Sequence, residues 1–484
     1  DDMKKRRPLM YYEVMRKMCI GVKKGPILNT MLKHDLIDKD NYAFLPGLST
    51  IEPLMVKKMV LEDAKYWNKD LYIMDVDFSK AYDSTEHFAK EISLQRMAFP
   101  PEGLELWRQY DNTRNMRILT AHGLTDGISP ECGCWGQGAE EAPIGWLTFM
   151  CWMSAYLDKK TQRHGYVTGK QNTTETTTQV NKVIYADDGT YFSNTREGIQ
   201  AKADAISDFC AATGILVKPE KSYVGVPTNT DAITMTTYKG NTNYKLEVDK
   251  KQPLTVITPT CYWKHLGNVQ NNDGTSALTT TKLYDGAVNE GIVEKISQIM
   301  ECMSRKKGVD AGGAVRAVKC MVLPKATYPL KFSNGSEQII EKIQNKIDSV
   351  LRKKFRLSNR APYRMIHMHK DLGGMHMLSL SDTVGLEKMN ILFQNIDKPG
   401  MCGTMMREAV ERLKHYSKSN KCPLQHKVTQ YIEDKGDMWL LTLKKWMESK
   451  DNLEIVAVRP EKNGKVPMNC EKDKLIIDGI TSIK

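Results

Sequence analysis

The sequence predicts an α+β fold, with an antiparallel sheet drawn from its first half and helices from its second. Two observations carry the sheet. Residues 71–78, Leu-Tyr-Ile-Met-Asp-Val-Asp-Phe, are rich in β-branched and aromatic side chains. Residues 183–192 have the same character, break at the turn sequence Asp187-Asp188-Gly189 and return as a hairpin. A third observation carries the helices: Ile339, Ile340, Ile343, Ile347, Val350, Leu351 and Phe355 recur at helical spacing, behind Ser336 as an N-cap and Glu337 in the first turn. A chain of 484 residues buries a core with ease and is long enough for roughly two to four domains.

Side chains alternate across the first strand, so Asp75 and Asp77 share one face while Met74, Val76 and Phe78 share the other. Either aspartate could serve as a metal ligand on this pattern. Asp187 and Asp188 face opposite ways by the same rule, so only one of them easily shares cations with the first strand. We assign that role to Asp187 and a supporting one to Asp188. Carboxylates brought from separate strands to one point repel unless cations lie between them. The arrangement therefore predicts bound divalent metal, and metal predicts phosphoryl transfer. The apolar run 142–157 is interrupted by Thr148 and Ser154 and is too short to span a membrane, so it reads as a buried helix.

The order of the short motifs says more than any one of them. Arg7-Pro8-Leu9 precedes Glu13-Val14-Met15-Arg16-Lys17, and Asn41-Tyr42-Ala43-Phe44-Leu45-Pro46-Gly47-Leu48-Ser49-Thr50 follows. Then come Asp77-Phe78-Ser79-Lys80-Ala81-Tyr82-Asp83, Gln137-Gly138 with Ala142-Pro143, and Tyr185-Ala186-Asp187-Asp188. Gly214-Ile215-Leu216-Val217-Lys218-Pro219-Glu220-Lys221-Ser222 and His265-Leu266-Gly267 close the series. In this order the chain resembles a reverse transcriptase of the non-LTR (LINE-type) retrotransposon class, over about its first 270 residues.

The resemblance implies a right-hand polymerase: fingers and palm over residues 1–270, with the antiparallel sheet in the palm, a basic helical thumb over 271–370, and an α-rich region of unassigned role over 371–484. It implies RNA-directed DNA polymerase activity, copying an RNA template from a primer 3′-hydroxyl with two Mg2+ ions, Mn2+ being the alternative. Asp77, Asp187 and Asp188 become the catalytic and metal-binding carboxylates. Tyr82 falls where the family carries an aromatic that blocks the sugar 2′-hydroxyl. Gln137 and Gly138 fall where the incoming nucleotide and template are touched, Lys221 near the leaving pyrophosphate, and Arg7, beside Lys5 and Arg6, near the triphosphate. His265, Leu266 and Gly267 form the primer grip. The implied partners are an RNA template, a DNA primer, the RNA–DNA duplex and dNTPs. An endonuclease, which elements of this class carry, is expected elsewhere, and the setting is intracellular, nuclear or cytoplasmic, with no membrane.

Some positions depart from the family pattern. Ala142-Pro143 stands where Ser-Pro is usual, Asp40-Asn41 stands for Asn-Gln, and Glu140-Glu141 put negative charge near the expected nucleic-acid path.

Charge is consistent with such a partner. Lys and Arg number 70 against 58 Asp and Glu, a surplus of +12. Between Arg305 and Lys370 there are 16 Lys and Arg against 4 Asp and Glu, a surplus equal to that of the whole chain. Within it Arg352, Lys353, Lys354, Arg356, Arg360 and Arg364 are expected to face a duplex by its backbone and shape, although cations at a helix C-terminus also answer the macrodipole. Further helices are expected near 383–396, 404–416 and 426–447, the first two parted by Pro399-Gly400, with a short β or irregular tail after Asp451. Eleven cysteines contain no Cys-x-x-Cys pair, which argues against zinc and for free thiols. Two other functions fit less well: an RNA-directed RNA polymerase has no use for an aromatic at Tyr82, and a non-catalytic RNA-binding scaffold has no use for three retained aspartates.

Overall fold

The structure is a computed structural model that describes residues 12, 14–79, 81–112, 115–120, 122–127, 135–136, 138–170, 177–227, 232–239, 247–258, 261–271, 274–358, 362, 364–418, 422–424 and 438–450, and the backbone of three short strands beyond them. The chain divides into two compact units, interleaved along the sequence. One comprises Asp1–Pro53, Asp70–Val167 and Gln179–Val256; the other comprises Leu54–Lys69, Thr168–Thr178 and Ile257–Lys484.

The first unit is organised by a five-stranded sheet. Its strands are β1 (Tyr72–Val76), β2 (Lys182–Tyr185), β3 (Asp188–Ser193), β4 (Tyr223–Gly225) and β5 (Thr255–Ile257), in the order β5-β4-β1-β3-β2. The strand expected at 71–78 is therefore central, antiparallel to β3 on one side and β4 on the other. Its Met74, Val76 and Phe78 enter a core with Trp146, Phe149, Met150 and Met153 of helix α2 (Ala142–Thr161) and Ile206 and Phe209 of helix α3 (Arg196–Thr213). This is the apolar face that alternation predicts, and α2 is the buried helix expected at 142–157. Local signals set the bounds of α3: the Thr195 hydroxyl accepts from the Gly198 amide, and Gly214 ends the helix at φ +78°. The segment Gly214–Ser222, which carries Lys221, thus begins as a helix C-cap. Helix α1 (Val14–Lys33) precedes them all.

The second unit is mainly helical. Its core joins Ile296 and Met300 of α4 (Ile292–Arg305), Ala326 and Leu330 of α5 (Leu323–Leu330), Ile343, Ile347, Val350 and Leu351 of α6 (Glu337–Lys354), and Leu380 and Val384 of α7 (Leu380–Asn395). The stripe at 339–355 is thus an amphipathic helix with its apolar face buried, although the Ser336 side chain makes no cap hydrogen bond. Helices α8 (Met401–Tyr416) and α9 (Trp439–Glu448) follow, and Gly400 at φ +104° separates α7 from α8. The helix expected to start near 426 is described only from Trp439. The tail forms strands Glu454–Val458, Lys465–Val466 and Lys474–Asp478 in one small sheet.

His367 gives this unit a pH-dependent contact. Its Nδ1 lies 2.7 Å from the Met377 carbonyl and its Nε2 lies 3.3 Å from the Asp348 carboxylate. Burial pulls its pKa down, but the Asp348 hydrogen bond, the carbonyl and nearby acidic charge outweigh burial, so the folded value lies above that of an ordinary histidine. The stability it contributes is then complete below about pH 6.5 and fades as pH rises through the folded value. His367→Gln is expected to flatten this part of the curve of urea midpoint against pH.

Candidate active site

Pairing of β1 with β3 sets Val76 opposite Gly189, and Asp75 opposite Thr190. Asp75 is buried and its carboxylate accepts a hydrogen bond from the Thr190 hydroxyl. That settles which of the two aspartates is held inside the sheet. Asp77, one third exposed, is left at the strand end. The next step of the register carries Asp77 toward Asp188, and alternation puts both on the face of Asp75 and Thr190. Asp188, expected in a supporting role, is thus the aspartate on Asp77's face.

The hairpin differs by one residue from the expected turn at Asp187-Asp188-Gly189. Tyr185 pairs with Asp188, so the two-residue turn is Ala186-Asp187, and Ala186 takes a left-handed conformation at φ +56°. An alanine there costs about 1 kcal/mol or more of backbone strain. Pairing with β1 fixes the register, and Gly189 answers packing rather than the turn: a Cβ on it would lie 2.7 Å from the Tyr191 hydroxyl. Asp187 is therefore presented on the turn itself.

The hairpin is braced from behind. Ile184 pairs with Asn41, and the Tyr42 amide donates to the Ile184 carbonyl at 2.9 Å. At the start of β2, the buried Lys182 ammonium lies 2.6 Å from Asp158, 3.4 Å from Asp38 and 3.6 Å from Asp40. Burial, helped by the other two aspartates, pushes the Asp40 carboxyl up to about 6 against the pull of Lys182. The departure Asp40-Asn41 thus serves to anchor the strand.

Tyr82 is fixed on both sides. Its ring stacks on Trp146 at 5.1 Å between centroids, and its carbonyl accepts from the Trp135 amide at 2.8 Å. Trp135 fits because residue 145 is glycine; a Cβ there would lie 2.1 Å from the indole. Burial, then the charge of Asp187, raise the Tyr82 hydroxyl well above the ordinary tyrosine range, so it stays protonated beside the aspartates.

The segment after Gly214 runs antiparallel to the end of β1. The Ser79 amide donates to Leu216, the Lys218 amide donates to the Asp77 carbonyl, and the Asp77 amide donates to the Ser222 hydroxyl. This pairing brings the Lys218 ammonium to 3.6 Å from the Asp77 carboxylate. Lys218 is the side chain beside Asp77 that sequence reasoning passed over; its place comes from backbone pairing with the end of β1. Lys221, chosen instead, is exposed at the end of the turn Pro219–Lys221.

The acidic pair near the expected nucleic-acid path is neutralised within the unit. Glu141 is buried against Arg16, which also lies over the Tyr12 ring, and Glu140 lies 3.6 Å from Lys24. Gly138, at φ +102°, shapes the approach to α2. Arg7, Gln137 and Arg360 lie outside the described residues, as does the Arg364 side chain. In the second unit, β6 (Tyr262–His265) and β7 (Asn268–Asn271) form a hairpin whose turn is Leu266-Gly267, with His265 buried. Of the basic cluster at the end of α6, Lys353 and Arg356 are exposed, and Arg352 is half-buried. The Lys354 ammonium donates to the carbonyls of Lys306 and Val309 at 2.7 and 2.9 Å, a structural use.

Hard carboxylate oxygens are the donor chemistry that magnesium takes. Among the described residues, no three His, Cys, Asp or Glu side chains stand in ligating geometry, and the cation facing Asp77 is Lys218. The residues fit a divalent metal in kind. No helix among the described residues is long and apolar enough to cross a membrane.

An acidic hairpin turn beside an acidic strand end, on an antiparallel sheet backed by two helices, has the architecture of a right-hand polymerase palm. The chain belongs to the reverse transcriptase (RNA-dependent DNA polymerase) family, whose model matches residues 3–252. Members of this family work with divalent metal ions, nucleic acids and nucleotides. The chain is 26% identical over 257 residues to a retrovirus-related Pol polyprotein from a type-1 retrotransposable element R2 of Nasonia vitripennis, covering 51% of this chain and 23% of that protein. It is 24% identical over 352 residues to the polyprotein of the type-2 element R2DM of Drosophila melanogaster, covering 71% of this chain and 30% of that protein. The non-LTR class expected from the motifs is borne out, and the chain spans less than a third of the length of these relatives. A solved telomerase from Candida albicans, in complex with a TWJ fragment of telomeric RNA, is 10% identical with a TM-score of 0.39, over 81% of this chain and 54% of that one, a likeness too slight to argue from.

Proposed function

We propose that the chain copies an RNA template into DNA, adding deoxynucleotides to a primer 3′-hydroxyl, and that Asp77, Asp187 and Asp188 hold two Mg2+ ions, with Mn2+ able to replace them. The observation that supports this reading is the β1–β3 register, in which β1 ends one residue before Asp77 and β3 begins at Asp188, after the Ala186-Asp187 turn. The metal, when bound, supplies positive charge to the attacking and leaving oxygens of an in-line displacement. The protein's own residues do the rest. The Ser222 hydroxyl and the Lys218 backbone fix the strand end that presents Asp77. The Ala186-Asp187 turn presents the second carboxylate. Tyr82, pinned by Trp146 and Trp135, stands where a 2′-hydroxyl would enter.

In this reading residues 1–270 are fingers and palm, 271–370 are the thumb, and 371–484 are an α-rich region of unassigned role. Gly138 lies near the incoming nucleotide with Gln137, Arg7 reaches the triphosphate, and Lys221 stands near the leaving pyrophosphate. The turn at His265, Leu266 and Gly267 grips the primer, and Lys353 and Arg356, with Arg352, Arg360 and Arg364, track the RNA–DNA duplex. The chain works inside the cell, in the nucleus or cytoplasm.

The test is extension of a DNA primer on an RNA template, with dNTPs and rNTPs compared. Tyr82→Val is expected to lower the preference for dNTPs by about a hundredfold, the 2–3 kcal/mol scale of a lost steric or polar discrimination. Unchanged preference would remove Tyr82 from the role. Efficient extension with ribonucleotides by the unaltered chain would favour an RNA polymerase instead.

A further inference from the structure

The β6–β7 turn has an unusual occupant. Leu266 and Gly267 both lie in the left-handed region, at φ +46° and +80°. Two such residues between paired strands make a type I′ turn, which favours Asn-Gly or Gly-Gly because asparagine and glycine tolerate positive φ. Glycine fits the second position; leucine in the first is strained. Something must hold it there.

Tyr328 of α5 meets the turn at both residues. Its hydroxyl donates to the Leu266 carbonyl at 2.7 Å, and its ring lies 3.5 Å from where a Cβ on Gly267 would stand. Tyr328 is set in place from its own side. A single π-helical stretch, Val318–Val322, leads into α5, an irregularity that recurs at functional sites. Phe332 meets the ring edge-on at 5.5 Å, and the Lys331 ammonium lies 5.3 Å from its centroid. A cavity of about 620 Å³, lined by Lys319, Leu323, Thr327, Tyr328 and His376, opens along the same helix. The ring is thus held on its own helix and presents its hydroxyl to the Leu266 carbonyl.

We propose that Tyr328 is a positioning residue that locks the Leu266-Gly267 turn into the shape in which it receives the primer. The inference rests on the primer-grip reading of that turn. It makes the lock a feature of primer handling, separate from the chemistry at the aspartates.

Steady-state extension on an RNA template, with primer and dNTP varied independently, tests it. Tyr328→Phe keeps the ring and deletes the donor; it is expected to raise the primer KM about fivefold, the effect of one lost hydrogen bond, while kcat and the dNTP KM stay within about twofold. Leu266→Asn supplies a residue that adopts the left-handed conformation unaided. In that background Tyr328→Phe is expected to have no further effect, which a general loss of stability would not reproduce. An unchanged primer KM in Tyr328→Phe, or an undiminished effect in the Leu266→Asn background, overturns the lock. Gly267→Ala, strained at φ +80°, reports on the grip itself: if it raises the primer KM and Tyr328→Phe does not, only the role of Tyr328 falls. If Gly267→Ala also leaves the primer KM unchanged, the grip assignment falls, and the inference with it.

Discussion

Asp187→Asn is expected to abolish primer extension, by about a thousandfold or more, while leaving the fold intact. The substitution keeps the size of the side chain and removes one unit of negative charge from the turn. Loss of a single preorganised electrostatic contact at developing charge typically costs about 3–4 kcal/mol, and in the proposed mechanism Asp187 holds a cation on which the reaction depends. Asp187 sits on a surface turn rather than in the core, so little packing is lost. Asp77→Asn should match it in activity. Asp75→Asn should behave differently: Asp75 is buried and accepts the Thr190 hydroxyl, so that change acts first on stability. The activity assay must therefore be read beside a melting curve, and extension that survives in Asp187→Asn would remove the residue from the reaction.

The largest effect on stability is expected at Arg412. Its guanidinium lies 3.0 Å from the Asp63 carboxylate, with 3% and 1% of the two side chains exposed. Asp63 also accepts the Gly169 amide at 3.1 Å. Water cannot reach either charge to compensate for a lost partner, so Arg412→Met, which takes the guanidinium from a buried carboxylate, should destabilise the second unit by about 3–5 kcal/mol. The pair Arg412→Met with Asp63→Asn should recover part of that loss, because the uncompensated charge is gone. Urea unfolding of the single and double variants measures both. A change of under about 1 kcal/mol in the single variant would show the pair to be as weak as a surface ion pair.

Much of this was legible in sequence because it is local. The strand at 71–78, the buried helix at 142–157, the apolar stripe from Ile339 to Phe355 and the break at Gly400 all follow from periodicity and from residue conformations. Asp77 was legible as a candidate, but Asp75 was equally so; only the cross-strand partner Thr190 separates them. The hairpin turn was misplaced by one residue because Asp-Gly is strong turn chemistry, while the register that overrides it comes from pairing with β1. Glu140 and Glu141 read as a hazard for nucleic acid, yet Arg16 and Lys24, more than 100 positions away, answer them. Lys218 was passed over for Lys221 for the same reason. Its place beside Asp77 is fixed by backbone pairing of Phe78 with Val217 and of the Lys218 amide with the Asp77 carbonyl, which no local pattern records.

The central claim is that Asp77, Asp187 and Asp188 jointly hold metal. It is tested most directly by titrating the purified chain with Mn2+ and reading free ion by electron paramagnetic resonance, with and without a dNTP and a primer–template ending in a 3′-deoxynucleotide. The account predicts tight binding of two ions in the assembled complex, and loss of at least one in both Asp77→Asn and Asp187→Asn. Undiminished stoichiometry and affinity in both variants would contradict it.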